Sequence, residues 1–252
     1  MVKNNLVQQV LSEAQTRLEN AGSDEPQANA QWLLAYALGV SRTWVLANGM
    51  AEIPADTYEQ FQQMLARKEA GEPLSHIVGT QPFCGLDIRV TPDVLTPRPE
   101  TEELVELAAA SFERRGRYEF VDMCTGSGCI AVALAHKFPN AVVLAVDKSE
   151  VALKVAQENI RAHHFENRIQ LLQSDIWENV MGTFDLIISN PPYIPTADLA
   201  GLTREVQHEP RLALDGGEDG YAVTRPLCAA ADGYLKPGGL LALELCDGQA
   251  WP

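Results

Sequence analysis

From Tyr118 onward, short continuous runs of Val, Ile and Leu alternate with stretches of helical spacing, and this alternation constrains the fold more than any other feature of the chain. The apolar runs predict strands over Phe120–Cys124, Val142–Asp147, Ile169–Asp175, Phe184–Asn190 and Leu240–Cys246. Helices are predicted over Ile130–Lys137, Glu150–His163 and Tyr221–Leu235. Strands that are apolar at successive positions, rather than at every second one, are those covered on both faces. The pattern therefore predicts a doubly wound, Rossmann-like α/β sheet.

The segment before this region has a different texture. Leu6, Val10, Ala14 and Leu18, then Ala30, Leu33, Leu34, Ala37 and Leu38, recur at helical spacing. Breakers fall between the helices: Gly22-Ser23-Asp24 closes the first and offers Asp24 as a cap for the second, Gly39 follows the second, and Pro54 opens another. Residues 1–72 thus read as a helical bundle domain. Residues 73–97 read as a β-rich hairpin connector, with Ile77-Val78-Gly79 extended and a turn at Cys84-Gly85. Residues 98–252 form the α/β domain, entered through Pro92, Pro97 and Pro99 and a helix over Glu100–Phe112.

Charge and cysteine usage narrow the function classes. Among 252 residues, 34 acidic against 19 basic side chains give a net charge of −15, which opposes a broad phosphate-binding surface. The five cysteines (Cys84, Cys124, Cys129, Cys228, Cys246) contain no C-x-x-C pair, so neither a disulfide framework nor a zinc site is expected. They read as small buried hydrophobes in a reducing compartment. No run reaches the roughly 18 apolar residues of a membrane span, and the N-terminus lacks a signal-peptide core. A cytoplasmic protein without a membrane partner is expected.

Three features carry chemistry. In Asp122-Met123-Cys124-Thr125-Gly126-Ser127-Gly128 a strand runs into a glycine turn and then a helix, whose first N–H groups have no intrahelical partner. Taken alone, this turn suits a nicotinamide dinucleotide as well as any other adenosine-containing cofactor. Asp147, nineteen residues past Gly128, ends the next strand, where a carboxylate can accept from a ribose diol. The fourth strand ends in Asn190-Pro191-Pro192-Tyr193, whose prolines lack N–H groups and fix the backbone, holding carbonyls outward beside the Asn190 amide. Two such acceptors suit the hydrogens of a planar –NH2 group, with Tyr193 available as a stacking surface.

The turn Asn190-Pro191-Pro192-Tyr193 resembles the signature of S-adenosylmethionine-dependent methyltransferases that act on planar amino or amide nitrogens. The block from Arg89 to Glu106, with Pro97-Arg98-Pro99-Glu100-Thr101-Glu102 at its centre, is more specific. With Phe184–Ser189 and Glu209–Gly220 it resembles the HemK/PrmC protein-glutamine methyltransferases, whose substrate is the Gly-Gly-Gln loop of peptide chain release factors. The resemblance runs through Gln249. It implies a class I methyltransferase fold with an N-terminal helical bundle; that bundle is expected to help recognise the protein substrate, because a pocket for one glutamine cannot by itself select one protein. It implies that Cys124, Thr125, Gly126, Ser127 and Gly128 line the methionine part of S-adenosylmethionine, that Asp147 binds the ribose, and that Asp175 and Ile176 flank the adenine. It implies that Asn190 and the Pro191 carbonyl hold the glutamine amide, with Pro192 and Tyr193 beside it, and that Asn190 also borders the cofactor. No metal and no dedicated strong base are expected, because positioning does most of the work.

Two departures matter. Met123-Cys124 stands where the family usually has Leu-Gly, and with Phe83-Cys84-Gly85 it is more like the sister enzymes that methylate a glutamine on a large-subunit ribosomal protein. An adenine-amino methyltransferase is a further alternative, opposed by the acidic balance, and a non-catalytic scaffold is opposed by the intact Asn190-Pro191-Pro192-Tyr193. The family also continues past the fifth strand with a helix and an antiparallel hairpin, whereas the sequence ends at Trp251-Pro252 with Cys246-Asp247 before Gly248-Gln249. A C-terminally short sheet is therefore expected, with one edge of Leu240–Leu245 unpaired in a protein that is otherwise a monomer.

Overall fold

The computed structural model describes residues 5–246, 248 and 249; the readings that involve Asp247 and Trp251-Pro252 lie outside them. The chain divides into two compact units. One runs to Gly79 and includes Arg204–His208, and the other holds Thr80–Thr203 and the chain from Glu209.

In the first unit the apolar spacing produces α1 (Val7–Asn20), α2 (Pro26–Leu38), α3 (Arg42–Ala47), α4 (Ala55–Glu69) and α5 (Leu74–Val78). Helix α1 buries Val7, Val10, Ala14 and Leu18, one residue per turn along a single stripe. This stripe packs in one core with Leu33 and Leu34 of α2 and Phe61 and Leu65 of α4. Helix α2 begins one residue later than the sequence suggests. Glu25, at φ 49°, occupies its cap position without a side-chain bond, and Pro26 opens the helix where its missing N–H goes unused. Ser41 caps α3 by accepting the Trp44 N–H at 3.1 Å. The expected extended run at Ile77-Val78-Gly79 is instead the end of α5, which Gly79 closes at φ 80°. A five-residue apolar segment is too short for periodicity to separate strand from helix. Helical structure thus continues to Val78, past the expected boundary at residue 72.

The second unit opens with an antiparallel hairpin, β1 (Thr80–Phe83) and β2 (Leu86–Arg89). Its two-residue turn is Cys84-Gly85, both at positive φ (49° and 76°), the left-handed pair whose twist matches that of a hairpin. After α6 (Pro99–Ala109) come β3 (Glu119–Met123), α7 (Cys129–Lys137), β4 (Val142–Asp147), α8 (Glu150–Ala162), β5 (Ile169–Gln173), β6 (Phe184–Ser189), α9 (Thr224–Tyr234) and β7 (Leu235–Leu243). The five strands β3 to β7 form one sheet in the order β5-β4-β3-β6-β7, every pair parallel.

Strand β7 begins five residues before the expected Leu240. Phe184 pairs with Leu235 and Leu186 with Leu240, so the Lys236–Gly239 stretch is accommodated by a register shift. Beyond Leu243 the Glu244 N–H still donates to the Ser189 carbonyl at 3.0 Å. β7 lies at one edge of the sheet among the described residues. Strands β3 and β6 are buried over nearly their whole length and β4 at Val143, Ala145 and Val146, as helices on both faces require. No helix among the described residues is long and apolar enough to cross a membrane.

Candidate active site

The strand order reverses around β3: β4 and β5 follow on one side, β6 and β7 on the other. The carboxyl ends of strands at such a switch point leave a crevice that flanking loops cannot fill. Here that crevice is a cavity of about 340 Å³. Its walls include Cys124, Thr125, Gly126 and Ser127 after β3, Asp147 at the end of β4, Asp175 and Ile176 after β5, and Asn190 and Pro192 after β6. Residues separated by more than sixty positions thus meet around one space.

The glycine turn is held from several sides. Asp147 Oδ2 accepts the Gly126 N–H and its Oδ1 accepts the Ser149 N–H, both at 2.8 Å. Ser149, not Asp147, caps α8, accepting the Ala152 N–H at 3.2 Å. Burial pushes the Asp147 carboxyl up from the usual range, against these N–H bonds, which lower it. Beneath the turn, fully buried Asp122 accepts the Thr125 hydroxyl at 2.5 Å and the Ala131 N–H at 3.1 Å. Its burial pushes the carboxyl up to about 7.

Three of the expected residues sit differently from the rest. Gly128 does not line the cavity. It caps α7 at φ 79°, and a Cβ there would lie 3.0 Å from the Ala156 Cβ, so its bare Cα lets α7 approach α8. Pro191 is buried and is not part of the cavity wall, whereas Pro192 is. Tyr193 also lies off the wall, its hydroxyl 3.5 Å from Glu244 Oε1. Burial, followed by the nearby Glu244 charge, pushes the Tyr193 hydroxyl up to about 12 and keeps it neutral.

Other residues that build the cavity carry no local signal in the sequence. Asn159, on α8 and fully buried, donates to the Ser127 carbonyl at 2.8 Å and to the Arg89 carbonyl at 2.9 Å, while its Oδ1 accepts the Arg89 N–H at 2.7 Å. It ties the turn to the end of the hairpin. The end of the connector, Asp93, Val94, Leu95 and Pro97, also contributes a wall of the cavity, together with Arg98. Buried Glu209 fixes that wall, accepting the Thr96 N–H at 3.0 Å and the Arg98 guanidinium at 2.6 Å. Of Glu100-Thr101-Glu102, Thr101 alone reaches the cavity, and Glu102 turns back to accept the Cys84 N–H at 2.7 Å. After β6 the Asn190–Pro195 turn is braced by Leu214 and Gly216, whose backbones exchange hydrogen bonds with Ile194 at 3.0 and 2.8 Å.

The donor set fits S-adenosylmethionine. Carboxylates at Asp147 and Asp175 stand beside apolar walls at Ile176 and Leu212, and Gly126 turns at φ 54° with nothing within 4 Å of where a Cβ would be. Diol acceptors and flat apolar surface therefore share one cavity.

Comparison with known proteins agrees with this geometry. Residues 9–79 match the family described as the PrmC N-terminal domain, and residues 103–209 match the methyltransferase small domain. The release factor glutamine methyltransferase of Moorella thermoacetica is 44% identical over 96% of this chain and 86% of its own length. That of Geobacter sulfurreducens is 43% identical over 97% of this chain and 85% of its own, and that of Deinococcus radiodurans 39% over 94% and 84%. With a parallel sheet that opens a cavity at β3, β4 and β6, and with relatives this similar along almost its entire length, the chain belongs to the release factor glutamine methyltransferases, an S-adenosylmethionine-dependent enzyme family.

Proposed function

We propose that this protein methylates the side-chain amide nitrogen of the glutamine in the Gly-Gly-Gln motif of peptide chain release factors. The observation that carries the reading is Asn190: it stands at the end of β6, fixed by two prolines, on the wall of the cavity that also holds Thr125, Ser127 and Asp147. When bound, S-adenosylmethionine supplies an electrophilic methyl group on a sulfonium.

The chain's own residues solve the other half of the problem. An amide nitrogen is a weak nucleophile because its lone pair is delocalised into the carbonyl. The enzyme must hold it in line and stabilise the positive charge that develops. Asn190 Oδ1 and the Pro191 carbonyl accept the two amide hydrogens, and Pro192 walls the pocket beside the planar group, with Tyr193 next in the same turn. Cys124 to Ser127, Asp147, Asp175 and Ile176 hold the cofactor. The helical unit reads the protein around the loop, because a pocket for one glutamine selects no particular protein. The enzyme works in the cytoplasm as a monomer, on protein rather than nucleic acid.

Mass spectrometry of purified release factor, ribosomal proteins and an adenine-containing oligonucleotide after incubation with enzyme and S-adenosylmethionine tests the proposal. A single methyl on the Gly-Gly-Gln glutamine supports it. Methylation of a ribosomal protein or of adenine, with release factor unmodified, overturns it.

A further inference from the structure

An asparagine amide offers an acceptor on one side and donors on the other, and a substrate –NH2 group can be held only by the acceptor. Something must therefore fix which way Asn190 faces. Thr101, at the start of α6, donates its hydroxyl hydrogen to Glu244 Oε2 at 2.6 Å. A threonine hydroxyl has one hydrogen, and a carboxylate can only accept. With that hydrogen committed, Thr101 Oγ1 can only accept, and it takes the Asn190 Nδ2–H at 2.9 Å. The amide nitrogen of Asn190 is thereby turned toward Thr101, which leaves Oδ1 as the face available to a substrate.

We propose that Thr101 and Glu244 are positioning residues, which set the orientation of the Asn190 side-chain amide so that its oxygen meets the substrate nitrogen. The arrangement rests on the methyl-transfer reading of Asn190. Glu244 directs the chain of donors without lining the cavity itself. It reaches the site from the neighbouring strand, as the residue after β7, and its N–H is anchored to the Ser189 carbonyl next to Asn190. Without Glu244 the Thr101 hydroxyl is free to donate to Asn190 Oδ1. That rotates the amide and presents its N–H groups to the substrate –NH2.

The test compares kcat, KM for release factor and S-adenosylmethionine affinity in Glu244→Ala, Glu244→Gln, Thr101→Val, Thr101→Ser and Asn190→Ala. Glutamine at 244 can still accept from Thr101, so Glu244→Gln should keep kcat within about threefold while Glu244→Ala loses at least about tenfold, the scale of a misplaced reacting group. Thr101→Val, with the same shape and no hydroxyl, should lose as much, and Thr101→Ser should restore it. Cofactor affinity should stay level across the Glu244 pair. Unchanged kcat in Glu244→Ala and in Thr101→Val, or equal losses in Glu244→Ala and Glu244→Gln, would overturn the positioning role. Asn190→Ala separates the two levels: if it turns over normally, the reading of the site itself is wrong, whereas its loss beside a fully active Glu244→Ala removes only the relay.

Discussion

Asp147 and Gly126 are joined across two strands: the carboxylate that ends β4 accepts the backbone N–H in the turn after β3 at 2.8 Å. The acid therefore builds the turn as well as lining the cavity. Asp147→Asn must place an –NH2 group against either the Gly126 or the Ser149 N–H, both of which the carboxylate now satisfies. A lost bond with an unsatisfied donor costs about 1–3 kcal/mol. Urea unfolding of Asp147→Asn should show that loss together with S-adenosylmethionine affinity at least about tenfold weaker. Weaker binding with unchanged stability would mean that Asp147 touches only the cofactor.

The two turn glycines should separate in function. At Gly128 an added methyl would press on Ala156, with its Cβ at 3.0 Å and Cα at 3.3 Å, at a φ of 79°. At Gly126 the same methyl meets nothing within 4 Å and lies in the cavity wall. Both substitutions carry the left-handed penalty of about 1–2 kcal/mol. Gly128→Ala should therefore lower the melting temperature the more of the two, while Gly126→Ala should weaken S-adenosylmethionine binding the more. Calorimetric titration beside thermal unfolding distinguishes them, and a reversed order would reject the assignment.

Cys124 holds a left-handed backbone, at φ 61°, without being a glycine. A branched Cβ is far less compatible with that region, so Cys124→Val should destabilise by about 2 kcal/mol. In Cys124→Gly, relief of strain opposes the larger backbone entropy of an unfolded glycine, and the net should lie within about 1 kcal/mol. Burial, with the Asp147 charge next, raises the Cys124 thiol well above its usual value. A thiolate-selective reagent at pH 8 should then modify exposed Cys246 before Cys124. Peptide mapping after timed alkylation gives the order.

Burial holds the Asp122 carboxyl at about 7 in the folded protein, against an unfolded value near 4. Between those values the folded state keeps a proton that the unfolded state has released. Stability from this group therefore falls as pH rises from about 4 to 7, and the loss is complete above 7. Asp122→Asn has no such titration. The stability of the native protein minus that of Asp122→Asn should decline across this window and then level off. A constant difference from pH 4.5 to 8 would show that Asp122 does not titrate there.

How far the fold could be read in advance depended on the range of each interaction. Strand β4 falls at the expected Val142–Asp147 because its apolar run is bounded by Asn140 and Lys148, and local pattern decides it. That Thr125 to Ser127, Asp147 and Asn190 line one cavity follows from a related pattern: each lies at or just past the carboxyl end of a strand, and parallel strands gather those ends at one edge. Helix α5 escapes the sequence pattern because five residues give no period. The role of Gly128 as a contact for Ala156, and the Thr101–Glu244 bond between residues 143 positions apart, arise only from packing. No spacing along the chain encodes such pairs.

In the helical unit, Lys68 on α4 is almost wholly buried, its side chain 1% exposed, and pairs with Glu205, which is 32% exposed. Its ammonium also donates to the Glu72 carbonyl at 3.3 Å. The partners are unequal, because removing one strands the other in a different environment. Glu205→Ala leaves a buried ammonium without its countercharge, a change that costs about 3–5 kcal/mol when a buried pair is broken. Lys68→Met removes the buried charge, keeps the length of the stem, and leaves a carboxylate that solvent already reaches. It should cost clearly less, and in the double variant methionine should recover most of what Glu205→Ala loses. Denaturant unfolding of the two single variants and the double variant closes the cycle. Equal losses from the two single substitutions would show that the pair behaves as an ordinary surface ion pair.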